Sequence, residues 1–426
     1  MTSTMHRGLA PVRAVLGNGA VVIAKESPTT PAVTVHASFR AGTAFDPPNQ
    51  SGLSHFVSRT IDRGTETRPA DRIADELDGR GVSLSISVNR HALSLVCTCL
   101  VEDLSPILHL LADIVMHPTF PRNEVETKRG EIVTLIRQDE DSPAALATEG
   151  LLTDLYGAAH PYGRRPRGSV ESVEGIDRPG LRGFHAGRFS PGSLSLALVG
   201  DVEPARAIDV AGSAFGGWAT ATLGALELPV AAPASHRRVR VIPMMNKAQT
   251  DIAYGFISVC RSDPDYDACW LLNNILGQYA LGGRLGERIR ERQGMAYYVF
   301  SSLDANIIPG PLTIRAGVSP ANVDRAVASI DEELRKLAAE GPTESEMAES
   351  RQYLIGSMPR TLETNLGIAT FLQTEEFFGL GLDYDLRVPD LLRAVTREEV
   401  AAAARRTLVP SQATVVIAGP YAGEVR

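Results

Sequence analysis

The stretch Val82–Val101, VSLSISVNRHALSLVCTCLV, alternates apolar and polar residues on either side of a polar Asn89-Arg90-His91 junction. Side chains two apart in a strand share a face, so Leu84, Ile86 and Val88 define one strand and Leu93, Leu95 and Cys97 a second. Upstream, Ala14–Phe39 reads as two strands joined by Asn18-Gly19, a dipeptide suited to a tight hairpin turn. Leu53–Arg63 carries helical spacing, as does Arg68–Arg80, with Pro69 near its start and Gly79 near its end. Leu104–Met116 and Arg122–Asp139 read as further helices, the second strongly charged on one face. Hairpins backed by helices predict an α+β arrangement of one sheet and one helical layer.

Downstream of the Arg-rich segment His160–Gly168, a helix is predicted over Gly175–His185 and a strand over Ser193–Gly200, and the module closes near Trp218. Ala219–Ser235 holds two Pro, one Gly and almost no charge, the composition of a linker. Beyond it the same order returns. Strands are predicted over Val239–Met244 and Asp251–Val259, helices over Asp265–Tyr279 and Gly283–Arg292, and strands over Tyr298–Leu303 and Leu312–Gly317. Helices over Ala321–Ala339 and Thr343–Ser357 and a final strand over Ala413–Ala418 complete the series. The expectation is an internal duplication with domains 1–225 and 226–426.

The chain has 426 residues, 44% hydrophobic and 22% charged, which is the composition of a globular protein with sizeable cores. Its formal charge of −8 argues against a nucleic-acid partner held by phosphate attraction. No stretch approaches the roughly 20 apolar residues of a membrane-spanning helix, so neither a membrane partner nor a membrane location is expected, and the default location is cytoplasmic. Four Cys are too few for a disulfide scaffold. Cys97 and Cys99 should face one side of a strand, and with Cys260 and Cys269 they read as buried thiols.

Two segments invite a chemical test. In Ser51–Arg59, SGLSHFVSR, helical offsets of three and four bring His55, Ser58 and Arg59 to one face. A zinc ion there would need imidazole or carboxylate ligands and a nearby base. Only one imidazole is present, Ser58 is no base at neutral pH, and Arg59 adds a fixed positive charge, so no catalytic zinc is expected. The second segment, Gly282–Tyr298, GGRLGERIRERQGMAYY, puts four Arg on a short helix ending at Gly294 and follows it with a Tyr-led strand. Arg290 and Tyr297 could converge on one peptide, since a guanidinium and a phenol both donate to carbonyl oxygens. His91, His109, His117, His160 and His185 lack a paired imidazole at helical spacing and, with Trp218 and Trp270, read as packing residues.

The context SGLSHFVSRTIDRGTETR, the downstream KRGEIVTLI, HPYGRRPRG and IRERQGMAYYVFS together resemble the pitrilysin-like M16 metallopeptidases, in particular the short two-domain subunits related to mitochondrial processing peptidase. The resemblance spans residues 12–420 and implies the duplicated LuxS/MPP-like metallohydrolase fold, each domain a mainly antiparallel sheet packed with helices. Active members carry an inverted His-x-x-Glu-His zinc motif and a distant Glu ligand. Here His55 matches the first His, Ser58 stands at the catalytic Glu, Arg59 at the second His, Lys128 at a supporting acid and Leu135 at the metal-binding Glu. Arg290 and Tyr297 match the family's substrate-positioning pair; Arg284 and Arg288 are expected at the helix surface or an interface. The resemblance therefore implies a noncatalytic subunit without a metal of its own. A homologous HxxEH-bearing partner would hold zinc and cleave an extended peptide between the two chains, while Arg290 and Tyr297 position the substrate and its transition state. A zinc-free structural subunit or a peptide-binding scaffold is the alternative.

Overall fold

A computed structural model describes residues 8–221, 223–224, 227–278 and 283–423. The expected domain boundary at residues 225 and 226, the C-terminal residue of the predicted helix Asp265–Tyr279 and Gly282 of the Arg-rich segment lie outside the described residues.

Eleven strands are described: β1 Val12–Val15, β2 Val21–Glu26, β3 Ala32–Phe39, β4 Ser85–Val88, β5 Leu93–Leu100, β6 Leu194–Gly200, β7 Arg238–Pro243, β8 Thr250–Ile257, β9 Ala296–Leu303, β10 Pro311–Val318 and β11 Thr414–Gly419. They form two sheets, ordered β1-β2-β6-β3-β5-β4 and β7-β11-β8-β10-β9. Leaving out β1, the two orders repeat each other in sense as well. The pairs β2 with β6 and β7 with β11 are parallel, and every other pairing is antiparallel.

Asn18-Gly19 does turn the chain between β1 and β2, with Gly19 at φ +92° and its amide donating to Leu16 O at 2.8 Å. The expectation of two strands over Ala14–Phe39 gives way to three. Pro28 and Pro31, which have no N–H to donate, break the run between β2 and β3. Leu104–Met116 is a helix as read, and Arg122–Glu140 extends the charged helix by one residue.

The chain divides into two compact units. Unit 1 comprises 1–136, 165–227 and 358–386; unit 2 comprises 137–164, 228–357 and 387–426. They depart from contiguous halves 1–225 and 226–426 because each includes a helix from outside its half. In unit 1, Ile368, Ala369 and Leu372 of the helix Asn365–Phe378 pack on Ile23, Ala197 and Val199 of the sheet. In unit 2, Ala147, Leu151 and Leu155 of the helix Pro143–Tyr156 pack on Ala253, Ile257, Val416 and Ala418.

This corrects the expectation of a single helical layer. The opposite face of the unit 1 sheet is covered by Leu108, Leu111 and Ile114 together with Phe56 and Val57, all fully or almost fully buried. Burial on both faces explains why β6 is a nearly continuous apolar run and why β3 is buried along most of its length although Thr34, His36 and Ser38 alternate with its apolar residues, whereas the edge strand β4 keeps a half-exposed alternation. β8 is buried along its whole length for the same reason. No helix among the described residues is long and apolar enough to cross a membrane.

Candidate functional site

The helix Leu53–Thr60 carries three of the positions singled out by the sequence. Its N-terminus is set by two features from elsewhere in unit 1. Gly52 adopts φ +92° and passes so close to Arg167 that a Cβ would lie 2.4 Å from that residue's carbonyl oxygen. The Asp46 carboxylate accepts from the Gly52 amide and the Ser54 amide, each at 2.8 Å, satisfying two N–H groups that a helix start leaves orphaned. Ser51 Oγ donates to Arg165 O at 3.1 Å, and Ser172 Oγ donates to Ser51 O at 2.8 Å. The SGLSH segment and the Arg165–Gly168 part of the Arg-rich loop therefore meet, although the sequence separates them.

On this helix Ser58 is buried and its hydroxyl donates to His55 O at 2.7 Å, an internal bond that leaves it no role as a base. Arg59 Nη2 donates to Glu131 Oε2 at 3.2 Å. Lys128 Nζ reaches both oxygens of the same carboxylate, at 2.7 and 2.9 Å. The Lys128 ammonium, and after it the Arg59 guanidinium, hold the Glu131 carboxyl below the usual carboxylate range against the effect of burial. Next to them burial pushes the Asp62 carboxyl up, opposed by Arg63, Lys128 and Arg59. Leu135 is half-buried and offers no donor atom.

This donor set does not suit zinc. Of the four positions at which the family pattern would place two His, a base and a Glu, only His55 can ligate. The carboxylate that Arg59 meets, Glu131, is already matched by two cations. A dication about 4 Å from the Arg59 guanidinium would be repelled by about 8 kcal/mol at an effective dielectric near 20. Among the described residues no group of three or more His, Cys, Asp or Glu side chains is gathered to hold a metal.

In unit 2, Arg290 lies on the π-helical segment Gly286–Arg292, which ends where Gly294 turns at φ +61°. Its side chain is 48% exposed and, among the described residues, has its neighbour Glu291 within ion-pair range, at 3.8 Å. Tyr297 lies in β9 and is 66% exposed. Its position is unusual. Tyr298 pairs with Gly317 of β10 and Ala296 pairs with Val318, so Tyr297 is the extra residue of a β-bulge. Arg290 and Tyr297 are not joined to each other by a hydrogen bond; each is held by its own element.

The remaining Arg residues of this segment are otherwise engaged. Arg284 is not a surface residue. Its side chain is 11% exposed, with Nε and Nη2 donating to Glu346 at 2.6 and 2.8 Å and Nη2 to Gly341 O at 3.3 Å. Arg288 is bound between Glu332 and Glu333, the latter at 2.8 Å. His160 occupies a packed turn, its ring between Pro229 O and the Tyr162 amide at 2.8 and 2.9 Å and stacked on Tyr156.

One site feature lay outside the sequence-derived set: Asp46, which caps the helix from six residues before Gly52; Glu131 was visible as a nearby acid in the downstream segment, but not as the partner of Arg59. No local spacing marks Asp46 or pairs Arg59 with Glu131.

Comparison with known proteins gives a consistent placement. Residues 21–164 match the family described as insulinase (peptidase family M16), and residues 175–354 match the peptidase M16 inactive domain. An uncharacterized zinc protease of Mycobacterium tuberculosis is 28% identical over 425 residues, covering 97% of this chain and 94% of that one. The uncharacterized zinc protease YmxG of Bacillus subtilis is 26% identical over 403 residues, with coverage of 94% and 96%. The crystal structure of a peptidase M16 inactive domain from Pseudomonas fluorescens matches with a TM-score of 0.90 at 25% identity over 98% of this chain and 100% of that one. A protease from Helicobacter pylori shares the fold, with a TM-score of 0.89 at 17% identity over 97% of this chain and 100% of that one. The inactive-type match, together with Ser58 and Arg59 in the motif helix, points to a noncatalytic member. The chain belongs to peptidase family M16.

Proposed function

We propose that this chain is the noncatalytic subunit of a two-chain zinc endopeptidase. A homologous partner bearing HxxEH would hold the zinc, and this chain would supply Arg290 and Tyr297 to an extended peptide. The observation that carries this reading is a contrast in how the two sets of side chains are engaged. At the motif helix Arg59 is committed to Glu131, whereas Arg290 and Tyr297 stand open to solvent. Neither residue contributes burial to a core, so packing gives no reason for an arginine and a tyrosine at those places.

Their chemistry suits substrate positioning. The guanidinium can donate to a peptide carbonyl, and the phenol can donate to the oxygen on which charge develops, a contribution worth most where water is excluded. Orientation of the scissile peptide supplies a further part of the rate. On this reading the chain itself holds no metal, and its ligands are the partner and the peptide.

Native purification with partner identification and metal analysis tests the proposal. The expected result is a similarly sized HxxEH-bearing chain, with zinc in the complex. Arg290→Ala should lower turnover of that complex by about tenfold or more with zinc content unchanged, the size of effect seen for lost positioning groups. Turnover within twofold of the parent would remove Arg290 from the reaction. A stable, zinc-free homodimer without peptidase activity would replace the proposal with a structural subunit.

A further inference from the structure

Because Tyr297 is the bulged residue of β9, no residue on β10 is paired opposite it, and the ladder alone does not fix its direction. Its neighbour is fixed in another way. Tyr298 stands opposite Gly317 on β10, and Gly317 in turn stands opposite Asp251 on β8, so the three residues form one row across three strands. The Tyr298 hydroxyl donates to Asp251 Oδ1, two strands away.

Gly317 makes that reach possible. A Cβ there would come within 2.5 Å of the Tyr298 ring carbon Cε1 and within 2.5 Å of Gln249 Nε2. With no side chain on the intervening strand, the Tyr298 ring crosses β10 against its backbone. Gln249 Nε2 donates to Asp251 Oδ1 and Oδ2 at 3.3 and 3.2 Å, orienting the carboxylate from the other side. Asp251 is buried, so the phenol meets an ionic acceptor where water competes little, the condition in which such a bond is strong.

We propose that Tyr298, bonded to Asp251 across Gly317, is a positioning residue that holds the β9 bulge and so the direction in which Tyr297 is offered to substrate. This rests on the reading of Tyr297 as a substrate contact. Gln249 and Gly317 serve the same arrangement, one by aligning the carboxylate and the other by leaving the path open.

Fluorine NMR on the full chain labelled with 3-fluorotyrosine reads the effect without a partner. The chain has ten Tyr, and Tyr297→Phe assigns the line of Tyr297. The expected result is one narrow Tyr297 line in the parent, broadened or split in Tyr298→Phe and in Gly317→Ala. It should stay narrow in Asp251→Asn, whose amide oxygen still accepts from the phenol. A merely structural bond would lower stability in Tyr298→Phe and leave the Tyr297 line where it was. That outcome overturns the proposal, and Tyr298→Phe tests it even if Gly317→Ala fails to fold.

In the natively purified complex, Tyr298→Phe should lower kcat about tenfold with KM little changed, as misplacement of a positioning group does. A collapsed Tyr297 line with turnover unaffected by both Tyr298→Phe and Tyr297→Phe would keep the anchor and remove Tyr297 from substrate contact. The failure of each idea therefore has its own signature.

Discussion

Replacing Asp46 with Ala should destabilise unit 1 by about 3 kcal/mol. Its carboxylate accepts two buried amides, Gly52 N and Ser54 N, each at 2.8 Å. Removing it orphans both, and a buried donor without a partner costs about 1–3 kcal/mol. Loss of the negative charge at a helix N-terminus adds about 0.3–1 kcal/mol. Taking the lower end of the first range for each amide, since water can enter a truncated site, and the upper end of the second gives about 3 kcal/mol. Asp46→Asn keeps one accepting oxygen and should cost about half as much. The two Trp of the chain make the assay selective, because Trp218 lies in unit 1, where its ring packs edge-on against Phe39, and Trp270 lies in unit 2. Urea unfolding followed by Trp218 fluorescence in a Trp270→Phe background therefore reports unit 1 alone. A loss below about 1 kcal/mol in Asp46→Ala would mean that the helix carrying His55, Ser58 and Arg59 does not depend on this cap, and the scaffold account of the site would fall.

Burial pulls the His36 imidazole down to about 4, so it folds neutral while the unfolded chain gains its proton near 6.5. The stability this group contributes is complete above about pH 6.5 and is lost as the pH falls toward 4, by at most about 3 kcal/mol. Glu375, pushed up to about 8 by burial and then by Asp385, gives the opposite slope. The comparison that isolates His36 is thus His36→Gln against parent, and equal pH slopes between 4 and 6.5 would refute the assignment. Burial also pushes the Cys97 and Cys99 thiols up to about 12 and raises that of Cys269, whereas Cys260 is half-exposed. Ellman's reagent at pH 8 should modify Cys260 rapidly in the native chain and all four thiols only in urea; rapid native reaction of Cys97 or Cys99 would contradict their burial.

What was legible in the sequence was whatever repeats at short range. Leu84, Ile86 and Val88 announce β4, and Leu93, Leu95 and Cys97 announce β5. The motif positions His55, Ser58 and Arg59 were legible because three consecutive family positions fall within one helical turn. Contacts that depend on the order of strands or on chain far away were not. Arg59 and Glu131 are 72 residues apart, and nothing local says that they meet. Asp46 caps a helix whose N-cap residue is Gly52, so a search for a polar residue at the cap position passes over it. The helices Pro143–Tyr156 and Asn365–Phe378 carry ordinary apolar stripes, and a stripe does not say which sheet it will cover. Gly317 reads as a weak strand residue until Tyr298 and Asp251 are known to flank it.

The motif helix also shows how a chain can lack a metal site without lacking its scaffold. Were the helix merely decayed, its start would be loosely held and its cations left to solvent. Instead Asp46 and Gly52 fix the start, and Phe56 and Val57 are fully buried in the core. The Glu131 carboxylate is matched by Lys128 and Arg59 rather than left to attract a free cation. That pair is half-exposed, and such pairs contribute about 0–1 kcal/mol, so stability alone gives little reason for Arg59. Its larger physical effect is on what may bind there. A guanidinium at this place repels a divalent cation. Unit 2 presents the complementary case, since the strength of its engineering lies around Tyr297 in Tyr298, Asp251 and Gly317, none of which faces the solvent as Tyr297 does. In one unit the packing holds a site closed to metal, and in the other it holds a phenol out toward solvent. On the proposed function, that asymmetry would leave this chain to position a peptide and the partner to perform the chemistry.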